Sequence, residues 1–355
     1  MRGDFPCNAF ALPGIVCFDR GHIPMRINSL QTSARAAGTG LVFFLAGCAL
    51  AAEPPAAASA APAMSVPGTG GWLFLDKELR HLGAPKFWAD PDGPAVAGDP
   101  LPAILDFKRQ LDSVGVDLLV VPVPAKAAIY PEVLPPPGIP DPGATDREFF
   151  KALGGHGVNV LDLTESFRAA KDAGPVYCRQ DSHWAPEGIM IAAKAIADRV
   201  RDLPWAKAMP KLPLTYQVLP INITGDLAAP GAAPEPLNAR FIAADGQPVP
   251  PSKSSPLILL GDSHNLIFHA GGDMQAAGAG LPDQLAFELG FPVDVVAVRG
   301  SGATPARRNL ARRKDNLAGR QIVVWCFSVR EFTEGQGWSK VPVVKEAAPA
   351  PGPGY

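Results

Sequence analysis

Pro256-Leu257-Ile258-Leu259-Leu260-Gly261-Asp262-Ser263-His264 is the stretch that sets the fold. Alternate side chains of a strand point to opposite faces, and here neither face is polar, so the strand is covered on both sides, as in a parallel sheet. The apolar run stops at Gly-Asp-Ser, which puts Ser263 at the carboxyl edge of the sheet, where open α/β folds place their sites. A serine there exposes its hydroxyl, and a helix opening behind it would turn backbone N–H groups toward an oxyanion. Taken alone, Gly-Asp-Ser is equally a capped turn.

Outward from this strand the chain alternates. Apolar residues recur at helical spacing over Leu101 to Val114, followed by the strand-like Asp117 to Pro122. Further on come a helix around 145–154, a strand at 158–162, a helix at 164–172, a short strand at 175–178 and a helix from Pro186 to about Leu203. After the central stretch follow a helix at 281–289, a strand at 292–298, a basic helix at 304–314 and a strand at 321–325. Helix and strand in alternation predict an α/β sandwich with a mostly parallel central sheet. Proline- and glycine-rich segments at 53–70, 88–102, 134–143, 228–256 and 346–354 are expected to be loops and linkers. One domain over 70–340 is the economical division, with a linker at 53–69 and a disordered tail at 341–355.

The 355 residues carry 32 basic and 34 acidic side chains, with no basic patch, which excludes nucleic-acid binding. Residues 25–52 resemble an export leader: Arg26 and Arg35 precede the apolar Thr39 to Ala46, too short to span a bilayer comfortably. Leu45-Ala46-Gly47-Cys48 has the form of a bacterial lipobox, so the expected location is the periplasm, with Cys48 as a lipid-anchor candidate. Ala49-Leu50-Ala51 alternatively fits ordinary cleavage. Residues 1–24 are expected to be an upstream extension. Cys178 and Cys326 then remain, as an envelope disulfide or as buried thiols, and no zinc-type spacing is present.

A second motif, Asp181-Ser182-His183-Trp184, lies between the expected strand at 175–178 and the helix from 186. Aspartate two residues before histidine can fix the imidazole tautomer, and the imidazole can take a serine proton and return it to a leaving group. The plainer alternative is an N-cap aspartate beside a satisfied histidine. Trp184 can wall a carbohydrate or acyl site, or belong to the core.

Together the two motifs resemble the SGNH-hydrolase-like alginate O-acetyltransferases of the AlgJ/AlgX type, in which a DxHW motif precedes a GDS motif in circularly permuted order. Similar too are Gly71 to Leu75, Val121 to Lys126 with Tyr130-Pro131, the Gly225-Asp226-Leu227 turn, and Val324-Trp325 with Arg330 to Thr333. The resemblance implies an SGNH-like three-layer sandwich, Ser263 as nucleophile, His183 as base, Asp181 as its orienting carboxylate, a polysaccharide acceptor and acetyl as the transferred group. It also implies an acetyl supply from a membrane-bound O-acyltransferase and association with exopolysaccharide export machinery. The chain departs from the ancestral pattern in having no evident oxyanion asparagine. Gly261, Asp262, His264, Trp184, Arg299, Gly300, Lys126 and Arg330 are the candidate oxyanion or substrate contacts, and His269 flanks the nucleophile.

Acyl transfer by this set needs no cofactor and no metal; with water as acceptor the same set is an acetylesterase. Two other classes compete. Asp181, His183, His264 and Asp262 are a possible ligand set for a divalent-metal hydrolase, which chelators would silence. A polysaccharide-binding scaffold would keep the fold with an idle triad, and serine-reactive probes would separate it from an enzyme.

Overall fold

The computed structural model describes residues 65–345. The upstream extension, the leader with Cys48, linker residues 53–64 and the tail from 346 lie outside the described residues. Strands are β1 (Ser65–Pro67), β2 (Leu73–Leu75), β3 (Asp117–Val123), β4 (Asn159–Val160), β5 (Leu214–Ile223), β6 (Glu235–Ala244), β7 (Gln247–Pro248), β8 (Leu257–Gly261), β9 (Ala270–Gly271), β10 (Met274–Ala277), β11 (Asp294–Ala297) and β12 (Ile322–Ser328). Helices are α1 (Asp76–Leu82), α2 (Leu101–Asp112), α3 (Lys126–Ile129), α4 (Ala144–Gly155), α5 (Thr164–Ala170), α6 (Pro186–Val200), α7 (Pro204–Ala208), α8 (Leu281–Leu289), α9 (Thr304–Ala311) and α10 (Glu331–Glu334).

β8 lies inside a fully parallel sheet of order β11-β8-β12-β3-β4. Its apolar run divides by pleat: Leu257 and Leu259 enter one core with residues of α5, α6 and α8, while Ile258 and Leu260 enter a second core with residues of α2, α4 and α9. β3 and β12 divide the same way, which makes three layers, helices over sheet over helices. All four residues Leu257 to Leu260 are fully buried, worth roughly 8 kcal/mol of apolar transfer as an upper bound.

The register lines up the strand ends. Gly261 sits beside Ala297 on one side and Cys326 on the other, and Ser328 sits beside Val123. Ser263, Arg299, Arg330 and Lys126 therefore all follow the carboxyl ends of four adjacent strands. Gly261 is required by the close approach of β12: a Cβ there would lie 1.7 Å from the Cys326 carbonyl oxygen.

Several expectations change. The segment 175–178 forms no strand, only an isolated bridge between Tyr177 and Trp184, because the chain turns back at once to present the Asp181 loop. The stretch 228–256, expected to be loop, contains β6, which pairs along its whole length with β5 in a separate antiparallel sheet. Its Pro and Gly residues hid a regular hairpin. Residues 65–67 of the expected linker form β1, which pairs with β2. At the other end, Val341 and Val343 are buried against the second core, and the Val343 and Val344 N–H groups donate to Gln110, so this part of the expected disordered tail is an ordered strap. Cys178 and Cys326 are both buried free thiols, not a disulfide.

Replacing Gly261 by alanine forces β8 and β12 apart and is expected to cost about 3 kcal/mol or more. Gly154→Ala, at a helical position with nothing within 4 Å of the new Cβ, should be neutral or stabilising by up to about 1 kcal/mol. Urea midpoints of the two variants test the contrast.

Candidate active site

The 178–185 loop closes on itself. Ala185 N–H donates to Val176 O (3.0 Å) and Cys178 N–H to His183 O (3.3 Å). At its tip the Asp181 Oδ1 accepts the His183 backbone N–H at 3.0 Å, the local turn that Asp favours. The same oxygen meets His183 Nδ1 at 2.6 Å. On the other side of the ring, His183 Nε2 lies 2.7 Å from Ser263 Oγ. Two motifs 80 residues apart thus meet in one hydrogen-bonded line, Asp181 to His183 to Ser263.

Other elements fix the loop. Glu235 of β6 accepts the Arg179 and Gln180 N–H groups. Leu73 N–H donates to Arg179 O at 2.8 Å. The turn 224–227 packs so closely that a Cβ on Gly225 would lie 1.9 Å from Gln180 O. That turn contributes Asp226, whose N–H caps Asp181 Oδ2 at 3.2 Å while its carboxylate accepts from Ser182 N–H and Oγ, both at 2.6 Å.

Ser263 opens a three-residue 3-10 turn instead of the α-helix expected behind it. The turn is held by Asp262, whose Oδ1 accepts His264 N–H (2.9 Å) and meets His264 Nδ1 (3.0 Å), and whose Oδ2 accepts Ser328 N–H (2.8 Å). The Ser263 N–H leads this turn and so has no acceptor within it. Asn265 cannot serve an oxyanion: its Nδ2 is buried on Cys326 O and Asp262 O.

A cleft of about 660 Å³ opens over Ser263 and His183, lined also by Lys77, Arg80, Asp226, Met274, Arg299, Gly300, Arg330 and Glu331. A larger cavity of about 1030 Å³, between α2 and residues 340–345, contains none of the motif residues. Of the sequence candidates, Arg299, Gly300 and Arg330 reach the cleft wall; Gly261, Asp262, His264, Trp184 and Lys126 do not. Trp184 is fully buried, its indole N–H donating to His264 O, so it joins the two motifs and walls no sugar site. Lys126 is buried with its ammonium on Leu73 O and Asp181 O, not free for an anion. Arg299 is paired with Asp273, whereas among the described residues the Arg330 side chain bonds only the Ser328 hydroxyl. His269 is taken up by Asp283. Asp226, Met274, Glu331 and Lys77 were not singled out as site residues from the sequence; Asp226 and Glu331 fell in the family-like stretches Gly225-Asp226-Leu227 and Arg330 to Thr333, and Met274 and Lys77 carried no signal.

Two histidine–aspartate pairs behave oppositely. Burial disfavours a charged His183, but the bond and charge of Asp181, with Asp226 behind, outweigh it and raise its pKa above 6.5. Asp181 is correspondingly pushed low by His183 against the effect of burial. For His264 burial wins over Asp262, and its pKa falls to about 4. Asp262 stays ionised through its donors despite burial. Burial, with the charge of Asp262, lifts Glu331 to about 7. Among the described residues, donor atoms of Asp181, His183 and Asp226 lie within 4.8 Å of one another. Neither His264 nor Asp262 joins that cluster, and both nitrogens of His183 are engaged, so a metal would have to displace one of those bonds.

The family described as SGNH hydrolase-like domain, acetyltransferase AlgX, matches residues 66–329. The chain belongs to that family. It is 32% identical over 152 residues to a probable alginate O-acetylase AlgJ of Pseudomonas aeruginosa, an alignment covering 38% of each protein. The chain thus spans well under two thirds of the length of the curated relatives it matches. By fold it is similar to the O-acetyltransferase domain of Pseudomonas putida AlgJ (TM-score 0.56, 22% identity, covering 76% of this chain and 91% of that one). A second solved structure, Pseudomonas aeruginosa AlgX, gives TM-score 0.55 at 18% identity, covering 75% and 62%. The SGNH-like sandwich expected from the motifs is therefore the fold of this chain.

His264 is neutral in the fold down to about pH 4, whereas unfolded histidine takes a proton below about 6.5. A depressed histidine pKa stabilises the fold above the unfolded value and loses that contribution as pH falls toward the folded one. Stability should therefore drop by about 3 kcal/mol between pH 6.5 and 4. Urea midpoints should show that drop shrinking in His264→Asn.

Proposed function

We propose that the protein is an exported O-acetyltransferase that passes acetyl through a Ser263 acyl-enzyme to hydroxyls of an extracytoplasmic polysaccharide, an alginate-like polymer being the first candidate. The single observation that carries this reading is the continuous line from Asp181 through His183 to Ser263 at the floor of an open cleft. Family membership favours acetyl as the group and transfer as the outcome, and the names of the relatives favour alginate. The leader-like residues 25–52 favour the periplasm, with Cys48 as a lipid-anchor candidate. A membrane-bound O-acyltransferase is the proposed acetyl source, and export machinery the proposed setting.

In the first half-reaction His183 Nε2 takes the Ser263 proton as Oγ attacks the acetyl carbonyl, and the imidazolium then protonates the departing group. In the second, His183 takes the proton of an acceptor hydroxyl, the new oxygen attacks the acetyl-serine, and Oγ regains its proton. Asp181 keeps Nδ1 protonated, so Nε2 stays free to accept. The negative oxygen of each tetrahedral intermediate is assigned to the Ser263 N–H, with Gly300 and Arg330 among the cleft-lining residues as further candidates. Arg330 suits this because its charge bears on the centre: it opposes protonation of both His183 and His264. With water in place of the sugar hydroxyl the same steps give an acetylesterase.

With a chromogenic acetyl ester and oligosaccharide acceptors, Ser263→Ala should lower acetyl release and transfer by on the order of 10⁴-fold or more with an unchanged fold. Turnover surviving that substitution would end the proposal. Because a protonated His183 cannot act as base, kcat/KM should fall as pH drops through an apparent pKa above 6.5. An acid limb well below that value would instead deny His183 the role of base. Arg330→Met is expected to reduce kcat about 100-fold with a smaller change in KM; a raised KM with an unchanged kcat would instead place it in substrate binding.

A further inference from the structure

The β9–β10 hairpin, residues 270–277, touches the triad through one side chain. Gln275 Nε2 donates to Thr224 O at 2.9 Å and to Asp181 Oδ2 at 3.3 Å. Both partners are acceptors, which fixes the amide nitrogen toward them. Gln275 pairs this contact with a left-handed backbone, φ 68°, a conformation that costs a side-chain-bearing residue about 1 kcal/mol or more. The backbone strain aims the amide at the carboxylate. One residue earlier, Met274 lines the cleft, and the turn residue Asp273 pairs with Arg299, another lining residue.

We propose that Gln275 is a positioning residue: its amide holds the Asp181 carboxylate against His183, setting the basicity of the imidazole, and ties the hairpin wall of the acceptor cleft to the triad. This rests on the proposed Ser263–His183–Asp181 mechanism. Among the described residues the Asp181 Oδ2 has two donors, the Asp226 N–H and this amide, so each is a large share of its stabilisation. The other charged or titratable groups bearing on the pair are Lys126 from α3, Asp226 from the 224–227 turn, His264 from the 3-10 turn, Arg330 ahead of α10, and the buried Cys178 thiol. Gln275 hydrogen-bonds none of these side chains; it shares the 224–227 turn with Asp226 only through the Thr224 carbonyl. Removing the amide leaves the carboxylate less stabilised, so it pulls harder on the His183 proton and the base titrates at higher pH.

The test compares Gln275→Gly, which accepts φ 68° freely, with Gln275→Ala, which does not, in steady-state hydrolysis of the chromogenic acetyl ester across pH. Ser263→Ala runs alongside. Both Gln275 variants should lose about tenfold in kcat, keep KM within about twofold, and shift the acid limb of the pH profile upward. Wild-type kcat and limb in Gln275→Gly overturn the proposal, as does a loss in Gln275→Ala that glycine restores, which would be backbone strain alone. A rise in KM alone also overturns it, leaving the hairpin as a cleft wall only. Activity persisting in Ser263→Ala would instead overturn the underlying mechanism.

Discussion

A single imidazole has to find oxygen atoms on both sides, and most of the architecture serves that constraint. His183 lies 2.6 Å from Asp181 and 2.7 Å from Ser263, and the two partners come from parts of the fold with nothing local in common. Ser263 depends on β8 being an inner strand, so that its carboxyl end opens between the ends of β11 and β12. His183 depends on a loop with no strand of its own, braced by Glu235 from the second sheet, Leu73 from the amino-terminal strap and Lys126 from the β3 edge. A hydrogen bond tolerates only a few tenths of an ångström, so the glycines at 261 and 225, each pressed on a backbone carbonyl, are part of the site although neither touches a substrate.

The site also shows how one pair of residue types is given two jobs. His183 and His264 each sit two residues from an aspartate that also accepts the histidine's own backbone N–H. Their rings are 4.8 Å apart. What separates them is the carboxylate balance. His183 feels Asp181 and Asp226 and is made more basic, whereas His264 is so deeply buried that its single aspartate does not compensate the lost hydration. A neutral His264 beside the base spares the site a second positive charge at the pH where His183 must give up its proton. Its carbonyl meanwhile anchors Trp184, so this pair acts as the rivet between the two motifs.

The central sheet was legible because a parallel strand buried on both faces leaves an unbroken apolar run, and β3, β8 and β12 all carry one. α8 is legible for the same kind of reason, with Pro near its start and Gly290 closing it. The β5–β6 sheet was not. Its strands are half exposed, and prolines at 220 and 236 look like breaks when the partner strand is unknown. Ser263, His183 and Asp181 announce themselves because chemistry demands those residue types at short spacing. Asp226 and Gln275 do not, since a second carboxylate or an amide can arrive from any turn. Trp184 and Lys126 misled for the opposite reason: residue type suggested ligand contact, but both are consumed by internal hydrogen bonds.

On the proposed mechanism, the cleft accounts for one acyl-enzyme serving either transfer or hydrolysis. Its walls carry Arg80 and Arg299, but Arg80 is matched by Asp76 and Glu334 and Arg299 by Asp273, so their charge is largely spent before any ligand arrives. Such exposed pairs contribute little stability and are cheap to break. An acceptor bearing hydroxyls or carboxylates can take over their partners one at a time, with little energy lost in the exchange. Among the described residues that line the cleft, Met274 and Leu75 are the apolar side chains, so on the proposed mechanism exclusion of water falls to the acceptor itself. Selectivity for transfer then rests on how long the acceptor occupies the cleft relative to the lifetime of the acetyl-serine, a kinetic competition and not a property of the triad.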